Sequence, residues 1–568
     1  MDTYDCYSIH SLIRRLGSES GNEFNQKAHA ILEQHYREQD LIAEAIYHAN
    51  QQDCVRGLEE WINCFDSVLE SSNYSQCRNL LEVRNGLLIQ NDYQLGRVSQ
   101  SEGNYHSRLS RNPEAELEYT EAINAYERTL KNNPNHIQTS NNLGAVWLYL
   151  GKLQMVLSKY TEALISYERA DNIYDQILSF IPDDISAITN KGHLMDSFGK
   201  VYMLLSRYSE AEESFNQSII NYDNALKSNL NDICLLNNKG VALSSLGELQ
   251  ANFSKHDKAI DSYKHSISCY ELIINSNTLL TSKTYCNKGI SYSRLGDSQT
   301  QLSQHKDAFQ SYEYATIDFD KSLELSPNDI STICSKATSI FSLGKLQEKS
   351  FQYLAAFKSY ESSICYHDLA LSISPNDIYT LINKSLTLSS IAKLLNSVEH
   401  FNLAIDACNQ AISVSPDRIE AYVNKGVAIL GLALFFEENL RYSEALQKYK
   451  EAIKTCDKVL IYSPDNNQIH NNKGILLYSV GFIYARLNLE KPLSENTEFI
   501  LSWENAIEEF NKSLKISPDD RYISSLRNIL KHFLDNKNNS FQLSQTTYIS
   551  FNFLYKKTKK FQLICTGT

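Results

Sequence analysis

The residue types that most often perform chemistry in proteins are scattered through this chain without a reactive pattern. There are 14 His and 12 Cys, but no C-x-x-C pair and no H-E-x-x-H run that would bring metal ligands together. Gly-Lys pairs begin at Gly151, Gly199 and Gly344, yet each lacks the upstream Gly and the following Ser or Thr of a phosphate-binding loop. Neither a G-x-S-x-G elbow nor a Q-A-C-x-G protease signature occurs. We therefore expect no catalytic residue, no metal site, no cofactor and no enzymatic activity.

Two rows of opposite charge do recur along the chain. If their segments are neighbouring antiparallel helices, Asp175 comes near Lys191, and the same holds for each later pair. This spacing predicts a ladder of partly exposed ion pairs, and the alternative is two independent solvated rows. Each exposed pair would contribute at most about 1 kcal/mol. The Lys row is Lys191, Lys239, Lys288, Lys336, Lys384, Lys425 and Lys473, and the acidic row is Asp175, Asp223, Glu271, Asp320, Asp368 and Asp457.

The Lys row belongs to a triplet, Asn-Leu-Gly or Asn-Lys-Gly with two degenerate copies, whose neighbouring copies are mostly 48 or 49 residues apart. A fixed period of about 20–50 residues is typical of stacked-repeat proteins, in which each unit buries its apolar face against its neighbours. We expect the Asn to bond to the neighbouring repeat's backbone, and ligand contact is the alternative. The third triplet positions are Gly144, Gly192, Gly240, Gly289, Ala337, Ser385, Gly426 and Gly474.

A second set of positions completes each repeat. A small residue follows each triplet by seven positions, an Ala comes later, and an aromatic residue follows that Ala by four positions in seven of eight copies. These spacings place the residues on one helical face, and a Pro often closes the unit, as at Pro182 and Pro327. The aromatic residues are Tyr167, Phe215, Tyr263, Tyr312, Tyr360, Tyr449 and Phe510, and Cys408 is the exception.

This pattern resembles the tetratricopeptide repeat, with about seven extra residues in each helix, or about 10 Å of added length. The resemblance implies an all-α fold, a right-handed α-solenoid of stacked antiparallel helix pairs. We predict an N-terminal helical arm or cap (1–92), a short first unit (93–134), eight repeats (135–518), a C-terminal capping helix (519–534) and a weakly ordered tail (535–568). The last repeat carries an insertion around residues 487–501, which we expect to form a surface loop.

The same resemblance implies where a partner would bind. In that family the first helix of each pair lines a concave groove, and ligands contact positions three before and one, four and five after the first Gly. The carboxylate clamp of the chaperone-cofactor members is absent, because their Asn after that Gly is replaced by residues such as Ala145 and Val241. The remaining groove is neutral and Ser-rich, which suits an extended or helical peptide. The predicted partner-binding residues are Asn141, Tyr149, Asn237, Ser245, Ser293, Arg294, Phe341, Asn471 and Tyr478.

Composition limits the partners and the location. The net charge of −13 argues against nucleic acid, because phosphate binding needs a basic face. We find no apolar run of about 18 residues, and therefore predict no membrane span. The N-terminus has no signal-peptide core, and the dispersed Cys are typical of reduced thiols. The sequence therefore predicts a cytoplasmic protein whose partner is a protein or peptide, and its oligomeric state stays open.

Two functional hypotheses follow. The first is a non-enzymatic scaffold or adaptor that binds a protein or peptide in the groove. The second rests on residues 27–51, which resemble the helical arm that follows the ATPase module of large bacterial signalling NTPases. That resemblance implies a sensor or regulatory arm without its own NTPase module, which changes curvature on binding a ligand and acts on a separate effector.

Overall fold

The computed structural model describes residues 22–71, 73–276, 281–487, 496–518 and 520–535. In these residues all regular secondary structure is helical, and consecutive helices pack against each other as pairs. The predicted all-α architecture of stacked helix pairs is therefore confirmed. The chain divides into two compact units, unit 1 (residues 1–278) and unit 2 (residues 279–568).

Unit 1 begins with four helices that precede the repeats. They build a core in which Trp61 is fully buried and its ring nitrogen donates a hydrogen bond to the Leu80 carbonyl at 2.9 Å. The four helices are α1 (Asn22–Glu38), α2 (Ile42–Gln52), α3 (Cys54–Glu70) and α4 (Tyr74–Arg84).

The rest of unit 1 consists of four helix pairs, and the last three have the lengthened helices of the repeat. We number these three as pairs 1 to 3. The helices are α5 (Asp92–Arg108), α6 (Asn112–Asn132), α7 (Ile137–Val156), α8 (Tyr160–Phe180), α9 (Ile185–Leu204), α10 (Tyr208–Leu226), α11 (Ile233–Asn252) and α12 (His256–Asn275).

Unit 2 contains pairs 4 to 8 and a final helix, α23, whose buried face packs on the last pair. Pair 6 is shorter than its neighbours, with helices of 18 and 17 residues. The helices are α13 (Ser282–Gln301), α14 (His305–Leu325), α15 (Ile330–Lys349), α16 (Tyr353–Ile373), α17 (Ile378–Leu395), α18 (Val398–Val414), α19 (Ile419–Glu438), α20 (Tyr442–Tyr462), α21 (Asn467–Leu487), α22 (Thr497–Ile516) and α23 (Arg521–Asp535).

Local sequence signals set the helix ends. Asp184, Asp329 and Asp377 cap first helices, because each carboxylate accepts a hydrogen bond from a backbone N–H three residues later. Inside each of pairs 1 to 7 the turn uses one residue in the left-handed region, with φ between 54° and 61°. These turn residues are Ser158, Ser206, Ser254, Ser303, Phe351, Asn396 and Leu440.

Close approach of the two helices in a pair depends on the small residues. A Cβ built on Gly192 would lie 2.8 Å from the Tyr222 ring, and one built on Gly199 would lie 2.6 Å from the Phe215 ring. Real Cβ contacts are essentially never that short, so the aromatic residues occupy space that only glycine leaves. Some pairs add a buried hydrogen bond across this contact, as from Ser218 Oγ to the Gly192 carbonyl at 2.8 Å.

One helix in the described residues, α19, is long and apolar enough to cross a membrane by length and composition. Half of its most apolar window is buried, and α19 shares an apolar cluster with α17, α18, α20 and α21. Because core helices of soluble proteins meet the same test, the prediction of no membrane span stays a prediction.

The predicted N-terminal segment up to residue 21 and the predicted tail after residue 535 lie outside the described residues, as do residues 488–495 of the predicted insertion loop.

Candidate functional site

The predicted ladder of ion pairs between successive helix pairs is present in both units. Lys384 Nζ lies 2.6 Å from Asp368 Oδ1, and Lys473 Nζ lies 2.8 Å from Asp457 Oδ1. The predicted partners Glu271 and Lys288 belong to different units. The other three pairs are Lys191 with Asp175, Lys239 with Asp223 and Lys336 with Asp320.

This ladder has a structural role. The carboxylates of its ion pairs are about half exposed, so each of these pairs contributes at most about 1 kcal/mol to stability. The triplet Asn also acts structurally in pair 7, because Asn424 Nδ2 donates to the Ile382 carbonyl of the preceding pair at 3.4 Å. The expectation that this Asn bonds to a neighbouring repeat's backbone is confirmed at that position.

Four of the predicted partner-binding residues lie in unit 1, on α7 and α11. Asn141, Tyr149 and Asn237 are half-buried, whereas Ser245 is buried. The Tyr149 ring lies 6.2 Å from the Tyr119 ring, and burial raises the pKa of Tyr149. Asn141 Oδ1 is buried and receives no hydrogen bond from the described residues. A partner role for these four residues stays a prediction.

The other five predicted residues lie in unit 2. Ser293 and Arg294 are half-buried on α13, and Phe341 is buried on α15. Asn471 and Tyr478 lie on α21, and Tyr478 is only 4% exposed because it packs on the Trp503 ring, 5.5 Å away between centroids. Little of Phe341 or Tyr478 is therefore available to a partner, and their role in binding stays a prediction.

A row of charged residues that the family positions do not include follows the second small residue of three successive first helices in unit 2. These residues are Asp297 after Gly296 on α13, Lys345 after Gly344 on α15, and Lys393 after Ala392 on α17. We call them the charged row. The prediction of a neutral groove is therefore incomplete, because it considered only the positions three before and one, four and five after the first Gly.

Two of the predicted residues, Arg294 and Phe341, lie near members of the charged row. Lys345 Nζ lies 5.4 Å from the centroid of the Phe341 ring. Tyr312 donates a hydrogen bond to Asp297 Oδ1 at 2.6 Å. Asp297 is exposed to solvent, yet desolvation by the surrounding protein raises its pKa, and the hydrogen bond from Tyr312 and the positive charges of Arg294 and Lys345 oppose that rise. Arg294, Asp297, Phe341 and Lys345 therefore form one electrostatic neighbourhood.

Both lysines of the charged row have a lowered pKa. Burial lowers the pKa of both, and the charge of Lys345 lowers the pKa of Lys393 further, while Glu348 opposes the shift. Yet Lys393 is exposed and Lys345 is half-buried. Solvent therefore reaches both positive charges. No carboxylate of the described residues forms an ion pair with either lysine.

The described residues contain no group of three or more His, Cys, Asp and Glu side chains placed to hold a metal ion. The ten described Cys are free thiols. Burial raises the pKa of Cys408 to about 11, so this thiol is neutral and acts as a small apolar group in the core.

Comparison with known proteins adds three similar structures. No family model and no curated protein matches the sequence. The chain is similar to a Rap protein complexed with competence and sporulation factor, with 13% identity, a TM-score of 0.41 and coverage of 72% of this chain and 99% of that chain. The apo quorum sensor NprR from B. thuringiensis shows 12% identity and a TM-score of 0.43, with coverage of 71% of this chain and 99% of that chain. Yeast Tom70 shows 12% identity and a TM-score of 0.30, with coverage of 88% of this chain and 99% of that chain.

Identities and TM-scores this low do not indicate which partners this chain binds. The helix pairs themselves, with a glycine facing an aromatic ring in repeat after repeat, give the chain a tetratricopeptide-type helical-repeat fold.

Proposed function

We propose that this protein is an interaction scaffold that binds an acidic segment of a partner protein on the first-helix face of unit 2, over α13, α15 and α17. One observation carries the proposal: Lys345 and Lys393 present positive charge to solvent without an ion-paired carboxylate, on a chain whose net charge is −13. A locally cationic patch on an acidic protein favours an anionic ligand.

A carboxylate of the partner would act on both lysines. It would form charge-assisted hydrogen bonds with the ammonium groups, and it would relieve the repulsion that lowers the pKa of Lys393. Asp297, one pair earlier, would repel an acidic residue and favour a donor. The order of charges along the charged row would therefore fix the direction of the bound segment, since complementary and repelling charges together give specificity.

The test is selection of binding peptides from a random display library on the full chain, followed by fluorescence polarisation with the selected peptide. Reversing both charges with Lys345→Glu and Lys393→Glu should weaken binding at least about 100-fold, equivalent to about 2.7 kcal/mol. Raising the salt concentration should weaken binding of the wild-type protein, because exposed charges are screened.

Lys200→Glu is the matched control. Lys200 occupies the same repeat position on α9 of unit 1, where its Nζ lies 2.6 Å from Asp196 Oδ2, so its charge is already compensated. We expect this variant to bind the peptide like wild type. Selected peptides without acidic residues, or equal affinity of the wild type and the double variant, would refute the proposal.

A further inference from the structure

In pairs 1 to 4 a second aromatic residue, seven positions after the first, lies against the first small residue of the pair. A Cβ built on Gly144 would lie 2.7 Å from the Tyr174 ring, and one on Gly289 would lie 2.8 Å from the Phe319 ring. We call the site of this second side chain the ring position. It is occupied by Tyr174, Tyr222, Tyr270, Phe319 and His367 in pairs 1 to 5, and each of these side chains is at most 1% exposed.

Pair 7 lacks the ring. Its ring position holds Cys456, thirty residues after Gly426, which is the same separation as between Gly289 and Phe319. A Cβ built on Gly426 would meet nothing nearer than Thr455 Cγ2 at 3.9 Å. Gly426 is also half-buried, whereas Gly144 and Gly289 are buried. The space that a ring fills in the earlier pairs is therefore empty in pair 7.

The result is a cavity of about 140 Å³ between α19, α20 and α21. Its walls are mainly apolar, with Val427, Val459, Ile469 and Leu476 among the buried residues. Burial raises the pKa of Cys456 to about 12, so its thiol is neutral and forms part of the apolar wall. The polar lining consists of Asn424, Thr455, Gln468 and Asn472.

We propose that this cavity binds an aromatic ring of benzene or phenol size. The repeat itself defines the shape, because the same framework holds a Phe or Tyr ring in pairs 1 to 4. The size also fits, since an engineered apolar cavity of about 150 Å³ binds benzene. Gly426, which is only half-buried, marks the side from which a ring would enter, and the amides of Asn424 and Asn472 would offer hydrogen bonds to a phenolic hydroxyl.

The ring can come from a free aromatic compound or from a Tyr or Phe side chain of a partner. The site lies on α19 to α21, away from the charged row on α13, α15 and α17, so it stands independently of the proposed function. The Lys345 and Lys393 double variant changes only the charged row, so it can lose peptide binding while the cavity is unchanged. A variant that fills the cavity likewise leaves the charged row unchanged.

The test measures binding of p-cresol to the full chain by ligand-observed NMR and by the shift in melting temperature. We expect saturable binding to wild type and to Cys456→Ser, which keeps the space open. Cys456→Phe restores the ring of pair 4 and should weaken binding at least about tenfold. If Cys456→Phe fails to fold, as judged by circular dichroism, Gly426→Leu fills the same space from α19 and should weaken binding equally.

A second arm separates the two sources of the ring. Binding of N-acetyltyrosine amide as well as p-cresol would show that the mouth also admits a side chain attached to a peptide backbone. Binding of p-cresol alone would assign the cavity to free aromatic compounds. Absence of saturable p-cresol binding to wild type, or equal binding to wild type and to both filled variants, would overturn the proposal.

Discussion

Pairs 4 and 7 of unit 2 carry the same Asn-Lys-Gly triplet on their first helix and differ at the ring position. In pair 4 the Phe319 ring is fully buried against Gly289, whereas in pair 7 Cys456 leaves a cavity beside Gly426. Both pairs keep helices of 20 or 21 residues and the same turn. Because each repeat contacts mainly its neighbours, one position can lose its side chain and create a site while the fold persists.

The largest expected effect comes from transferring the difference between the two pairs. Phe319→Cys should destabilise α13 and α14 by about 3 kcal/mol, since it removes a fully buried ring and leaves a cavity. Hydrogen exchange of these helices measures the local free energy of opening. Cys456→Phe, the reverse change, should slow exchange in α19 and α20. A loss below about 1 kcal/mol for Phe319→Cys would mean that the two ring positions are not equivalent.

A smaller effect tests the same contact from the other helix. Gly289→Ala should destabilise pair 4 by about 2 kcal/mol, because its Cβ would lie 2.8 Å from a ring that cannot move away. Gly426→Ala should stabilise pair 7 by up to about 1 kcal/mol, since Ala is the better helix former and finds open space there. Hydrogen exchange shows whether each variant, Gly289→Ala and Gly426→Ala, raises or lowers the local stability. Destabilisation by both would contradict an empty ring position in pair 7.

In pair 5 the ring position is occupied by His367, which makes the stability of that pair depend on pH. Burial lowers its pKa to about 4, while the charges of Asp368 and Lys384 beside it act in opposite directions. A folded pKa below the unfolded value of about 6.5 means that the unfolded state takes up the proton first. Stability from this group is therefore present above pH 6.5 and is lost as the pH falls towards 4.

Between pH 7 and pH 5.5 this loss should amount to about 1 kcal/mol in α15 and α16. His367→Phe, which installs the ring found in pair 4, should remove that part of the pH dependence. Hydrogen exchange at the two pH values, corrected for the intrinsic rate, provides the measurement. An unchanged pH dependence in the variant would show that other groups cause it.

The parts of the fold that repeat were predictable from sequence, because their spacing is a direct consequence of helix geometry. The triplets, the buried Ala residues and the first aromatic row predicted the helix pairs, and the Lys and acidic rows predicted the ladder. The second aromatic row, Tyr174 to His367, follows the same 48- or 49-residue spacing. In pair 7 that row holds Cys456, so the missing ring is also visible in the sequence.

Other features depend on contacts that spacing does not decide. Phe510 follows an Ala by four residues, as Tyr167 does, which places both in the first aromatic row. In the structure Phe510 lies against Gly474, the first small residue of pair 8, and Trp503 lies against Gly481. The insertion between α21 and α22 separates the helices in sequence, so only packing fixes this register. The lowered pKa of Lys393 likewise depends on neighbours from other helices.

The smallest expected effect concerns the turns of the same two pairs, where backbone geometry is equal and the side chains differ. Ser303 in pair 4 and Leu440 in pair 7 both have φ of 60°. A left-handed conformation costs a residue with a Cβ about 1–2 kcal/mol, and glycine adds about 0.5–1 kcal/mol of backbone entropy to the unfolded state.

Leu440→Gly should therefore stabilise pair 7 by about 0.5 kcal/mol, because Leu440 is 70% exposed and gives up little burial. Ser303→Gly should gain less, since a short polar side chain tolerates this conformation better. Hydrogen exchange of the flanking helices distinguishes the two variants, with wild type as reference. A destabilised Leu440→Gly variant would mean that the Leu440 side chain contributes contacts which outweigh the backbone strain, and that the pairs differ at the turn as well as at the ring.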